Sequence, residues 1–152
     1  MPTNTRPKKA QPTKRYFTVE QANKMLPLVR AVVQDIVPLA QDLIQRRERL
    51  LKVRPNERVK MSAGHEEEFN QMQQEFARDA ARLEEYMDEL RELGVDLKGA
   101  DGIVDFPGIM DGREVCLCWK LGEAEVTHWH DLDAGFSGRQ KLAFEQPVPM
   151  QP

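Results

Sequence analysis

The chain has 152 residues, of which 40% are hydrophobic and 31% charged, and it carries a net charge of −3. That length suits one domain with a core of its own, and the high charge content asks for much solvated helix surface. No apolar run reaches the roughly 20 residues that span a bilayer, and the basic start lacks the apolar centre of a secretory signal.

Residues 1–15 hold five of the 22 bases, Arg6, Lys8, Lys9, Lys14 and Arg15, and none of the 25 acids. Together with Pro2, Pro7 and Pro12 they read as a disordered basic tail on an acidic body. Such a tail gives nucleic acid at most a weak, unspecific hold.

Order is expected from Tyr16. Thr18 and Gln21 have capping-box spacing, with Phe17 as a staple. Ala22, Leu26, Val29, Val33, Ile36, Ala40, Leu43 and Leu50 follow in steps mostly of three and four, the stripe of an amphipathic, coiled-coil-like helix. Pro27 and Pro38 are eleven residues apart, so both fall on the side away from the stripe and bow the helix without breaking it. An end near Val53 and a loop over 54–61 lead to Ser62, an N-cap, with Glu66, Glu67 and Glu68 near the positive helix end. Phe69, Met72, Phe76, Ala80, Leu83, Met87 and Leu90 make the second stripe, which Gly94 ends as a left-handed cap. Leu28, Val32, Val37, Leu39 and Ile44 widen the first stripe beyond what a two-helix seam needs. The surplus predicts cover from the C-terminal third or from another copy of the chain, a twofold dimer being the commonest form.

After Gly94 the pattern changes to strands. Asp111-Gly112 signals a hairpin turn, Arg113 to Leu121 alternates, Gly122-Glu123 suggests another turn, and Glu125 to His130 a further strand. The expected fold is α+β: a long antiparallel αα-hairpin over 18–94, then a small antiparallel β-unit with a Gly-bearing loop over 95–142. The single domain thus spans 16–142, with 143–152 a loose C-terminal tail.

Chemistry concentrates in the strands. Cys116 and Cys118, two apart on one strand, are poorly placed to pair with each other and suit a reduced, cytoplasmic protein. With His128 and His130 they offer four zinc donors if they share a face. A two-residue turn at Gly122-Glu123 would set Cys118 opposite Thr127 and separate the two pairs. A three-residue turn would bring Cys118 to His128 and Cys116 to His130. The two-residue form is the commoner one and sets the expectation. A second metal set takes His128 and His130 with Asp131 or Asp133, suiting zinc or iron. A di-iron bundle is excluded, because the helical region carries no Glu-x-x-His, His65 being its only histidine. Gly135, Gly138 and Arg139 suggest an anion cradle beside Trp129 and His130, the competing arrangement being Arg139 paired with Asp105 or Asp133. Hydrolytic catalysis lacks a G-x-S-x-G setting.

Tyr16 to Asn23 with Leu26 to Arg30, Leu93-Gly94-Val95, Gly102 to Pro107, Asp111-Gly112-Arg113, Cys118 to Glu123, Trp129-His130 and Gly135 to Arg139 together resemble the bacterial family catalogued as domain of unknown function 2203. The resemblance covers about Tyr16 to Leu142 and implies no activity. It marks Asp105, Cys118, Trp119, Trp129, His130, Gly135 and Arg139 as family positions, with Cys116 and His128 less typical. The resulting expectation is a non-enzymatic, cytoplasmic, homo-oligomeric binding module without membrane attachment, holding a small anion or partner segment at Trp129, His130, Gly135, Gly138 and Arg139. The alternative is a metal-binding protein or metal-dependent enzyme with zinc or iron at His130 and Cys118, His128, Asp131 or Asp133.

Overall fold

The computed structural model describes residues 14–53 and 62–143. Most of the basic tail, the connection over 54–61 and the end of the chain lie outside the described residues. Within them, helix α1 (Val19–Lys52) and helix α2 (Ala63–Glu92) precede a five-stranded antiparallel sheet. The strands are β1 (Asp96–Gly99), β2 (Ile103–Met110), β3 (Arg113–Lys120), β4 (His128–Asp131) and β5 (Gln140–Lys141), each beside the next.

Local chemistry sets the helix ends as expected. The Thr18 hydroxyl accepts from the Gln21 amide while the Gln21 side chain accepts from the Thr18 amide. Ser62 caps α2 through the His65 amide. Gly94 sits at φ +88°, where a side chain would be strained, and the Val95 amide donates back to the Leu90 carbonyl. Val95 is thereby folded under the last turn and buried. Both Pro27 and Pro38 lie inside an unbroken α1 and are exposed. The helices run antiparallel: Arg46, late in α1, holds Asp79 of α2 at 2.6 Å, while Leu90, at the end of α2, joins the core formed by the first half of α1.

That core lies between α1 and one face of the sheet. Leu26, Val29, Val33 and Ile36 meet Val104, Phe106, Leu117 and Trp119, and Phe17 stands edge-on to Phe106 at 5.4 Å. Proline is usually barred from a strand interior, yet Pro107 sits in the middle of β2. Its carbonyl accepts from the Phe17 amide, on the side away from β3. Its nitrogen points the same way, so the β2–β3 ladder loses no donor.

Two expectations need correction. β3 and β4 are not joined by a two-residue turn. Seven residues, Leu121 to Thr127, separate them, and the register pairs Cys118 with His128 and Cys116 with His130. The cause is the anchoring of this loop. The Glu123 carboxylate accepts from the Lys120 amide, the Trp119 indole donates to the Glu123 carbonyl, and α1 holds the rest through Asn23 to the Val126 amide and Arg30 to the Ala124 carbonyl. The strand expected from Glu125 accordingly begins only at His128. The second correction is at the far edge, where the Gly-bearing loop expected up to residue 142 ends in a strand. Gln140–Lys141 pairs with β4, and the Leu142 amide donates to the Thr127 carbonyl as its side chain is buried.

Candidate metal centre

Side chains alternate across a strand, and this divides β2, β3 and β4 between two tasks. Val104, Phe106, Leu117 and Trp119 face the helices. Asp105, Cys116, Cys118, His128 and His130 share the other face, because the register sets Asp105 opposite Cys118, Cys118 opposite His128 and Cys116 opposite His130.

Donor atoms of Asp105, Cys116 and His130 lie within 4.8 Å of one another. His130 is only 2% exposed and Asp105 is also buried, while Cys116 keeps partial access to solvent. The His130 Nε2 stands 3.0 Å from the Asp105 carboxylate, and its Nδ1 stands 2.7 Å from the Asp131 carbonyl. Cys118 adjoins the group, standing opposite Asp105 in the β2–β3 register. Burial pushes the Cys116 thiol up to about 11, with the Asp105 charge adding to the shift and Lys98 and Lys14 opposing it. Burial pushes the Cys118 thiol up to about 12, again with Asp105 adding to it.

Two segments border this face. At one end Lys14 and the Tyr16 hydroxyl both bond Glu114, two residues along β3 from Cys116. At the other, Phe136 lies under Arg139, 4.5 Å from its ring centre, and under Lys120 at 5.5 Å. Gly138 permits this fold-back, since a Cβ there would stand 2.6 Å from that of Ala134. Gly135 enters the turn at φ +67°.

The residues expected to form an anion cradle are distributed otherwise. Trp129 packs toward the helix-side core with Arg113 over its ring, on the face opposite His130. Arg139 donates to the Glu123 carboxylate at 2.8 Å and to the Cys118 carbonyl, so its acidic partner is Glu123 rather than Asp105 or Asp133. Of the four expected Cys–His donors, Cys116 and His130 belong to the cluster, and of the expected His–carboxylate set His130 alone does. His128 Nδ1 engages the Thr127 hydroxyl, Asp131 binds Arg113, and Asp133 is exposed. The sequence reading leaves Asp105 outside the metal set. The signal that finds it is a lone acid between Val104 and Phe106, which alternation must place on the Cys116 face.

No curated protein and no solved structure matches this chain. A family model does, over residues 15–142, spanning both helices, the whole sheet and every residue of the cluster. The chain therefore belongs to DUF2203, a family of uncharacterized conserved proteins.

Proposed function

We propose that this protein binds a transition-metal ion, zinc by the nature of its donors, through Asp105, Cys116 and His130. The observation that carries the reading is the convergence of a carboxylate, a thiol and an imidazole, from three adjacent strands, within 4.8 Å. Zinc takes these donor types at about 2.0–2.3 Å, so donors around one ion stand roughly 3–4 Å apart. Small side-chain rotations bring the cluster to that spacing.

The state of His130 supports the same reading. A carbonyl oxygen only accepts, so the Asp131 carbonyl fixes the proton on Nδ1. A lone pair on Nε2 then faces the Asp105 carboxylate at 3.0 Å. Two acceptors at that distance need a positive centre between them: a proton in the metal-free chain, a metal ion in the loaded one. Orientation of a ligating histidine by a backbone carbonyl on its other nitrogen is the usual arrangement around metals.

A cysteine nucleophile served by a His–Asp pair is disfavoured. It needs a ring nitrogen free to take the thiol proton, whereas both nitrogens of His130 are engaged and the Cys116 thiol is pushed up to about 11. Anion binding at Arg139 would have to displace Glu123. Two unpaired cysteines suit a reducing compartment, so the cytoplasm is part of the proposal. No described helix is long and apolar enough to cross a membrane.

The test is elemental analysis of the purified chain, followed by cobalt titration of the stripped protein. One ion per chain and a thiolate-to-cobalt charge-transfer band are expected, both lost in Cys116→Ser. Absence of metal after purification together with no saturable cobalt or zinc binding overturns the reading.

A further inference from the structure

The two halves of the helical hairpin are covered very differently. In α1 the buried residues run from Ala22 to Leu43, and none follows Leu43. In α2, a helix of 30 residues, Leu90 alone is buried. Phe69 and Phe76 are half-buried, and Met72 between them is exposed. Toward its far end, then, the hairpin is, among the described residues, two helices packed only on each other.

One row of α1 shows where the cover stops. Val37, Ile44 and Leu51 are seven residues apart, so they lie within about 20° of one line along the helix per step. At Val37 the turn between β1 and β2 covers this row: a Cβ added to Gly102 would stand 3.2 Å from Val37 and from Val33. Further along, the same row is bare, with Ile44 50% and Leu51 57% exposed. An apolar row that packs against the core at Val37 and faces solvent beyond it lacks its third layer there.

Charge indicates what supplies that layer. The end of α1 is basic, with Arg46, Arg47, Arg49 and Lys52 against Glu48. The start of α2 is acidic, with Glu66, Glu67, Glu68 and Glu75. Only Arg46 among those bases forms an ion pair with α2 among the described residues, and it uses Asp79. That pair puts Arg46 level with Asp79, so the acidic first turns of α2 reach past the basic end of α1. One chain therefore carries both halves of a complementary surface that its described residues do not close on themselves.

We propose that the far half of the hairpin docks on the same region of a second copy of this chain, forming a four-helix bundle about a twofold axis. The two arms point in opposite directions, which keeps the sheet units clear at either end. The Ile44–Leu51 row of each copy meets Phe69, Met72 and Phe76 of the other, and the basic end of α1 lies against the acidic start of the other copy's α2. Pairing of one self-complementary patch is what a twofold interface requires, and the arrangement is that of antiparallel bundles.

The experiment is sedimentation equilibrium of the full chain across a dilution series, at low and high salt, beside the double variant Ile44→Glu, Leu51→Glu. The expected mass is twice that of the chain, with dissociation setting in at higher protein concentration in high salt, which screens the charge pairs. The variant should sediment as a monomer at every concentration. Both altered side chains are exposed, so its helix content by circular dichroism and its cobalt binding should match those of the unaltered chain. A monomer at the highest concentration of the unaltered chain overturns the proposal. So does a dimer that survives the double variant, or an oligomer of odd order.

Discussion

The two faces of the sheet are made by the same three strands and do opposite things. The face toward α1 is apolar without interruption through Val104, Phe106, Leu117 and Trp119. The other face carries Asp105, Cys116, Cys118, His128 and His130, of which Asp105, Cys118 and His130 are buried although they point away from α1. The first arrangement follows from hydrophobic burial and would form with many apolar sequences of similar volume. The second is costly to build, because buried polar groups must find partners or lose free energy. Period-two alternation lets one strand serve both without mixing them. Substitutions on the two faces should therefore separate stability from binding.

The largest effect is expected on the helix side. Trp119 is fully buried, its indole N–H bonds the Glu123 carbonyl, and Arg30 stacks on its ring at 5.8 Å. Trp119→Ala should cost about 3–5 kcal/mol in urea unfolding, from lost burial and the cavity left behind. A loss under about 1 kcal/mol would break the comparison, since the helix side would then not be what holds the fold. On the other face, His130→Ala removes the partner of a buried carboxylate and should cost about 1–3 kcal/mol, besides abolishing cobalt binding. Cys116→Ser is the sharper probe, because the thiol is half-exposed and Asp105 keeps His130. It should abolish the charge-transfer band with little change in the unfolding midpoint. Equal loss of stability and metal in both variants would make the cluster merely structural.

How much of this was legible in the sequence depends on the range of the interaction. Both helix starts and the Gly94 stop were readable, because a cap is fixed by residues three apart. The alternation of β3 and the Asp111-Gly112 hairpin turn before it were readable too, whereas β1 and β5 were not. The β3–β4 register was not. The turn signal at Gly122-Glu123 is real: Gly122 sits at φ +108° and the Glu123 amide bonds the Lys120 carbonyl. What lengthens the connection is the grip of Asn23 and Arg30 on Val126 and Ala124, about a hundred positions away, and local pattern holds no trace of it. Since register decides which donors share a face, that long-range contact also hid Asp105, Cys116 and His130 as a group. Arg139 failed for a related reason. Its partner had to be chosen among several acids, and the choice of Glu123 follows from the same loop.

That loop offers the smallest and most specific test. Burial alone would push the Glu123 carboxyl up, but the hydrogen bond from Arg139 and the Lys120 amide outweigh it and hold the group below the usual carboxylate range. A carboxylate with a depressed value in the folded chain stabilises the fold above its unfolded value, about 4.3, and that contribution fades as pH falls through the lower, folded value. Arg139→Gln removes the main partner, so the variant should be less stable than the unaltered chain at neutral pH, by on the order of 1 kcal/mol for a partly exposed pair. The Arg139 bond to the Cys118 carbonyl contributes at every pH, so the gap should shrink without vanishing. Urea midpoints for both proteins between pH 7 and pH 3 should therefore draw closer below about pH 4 while staying apart. Parallel curves would mean that the Glu123 charge does not stabilise the loop. The register would then rest on the backbone and indole bonds alone, and Glu123→Gln would leave both stability and metal binding intact.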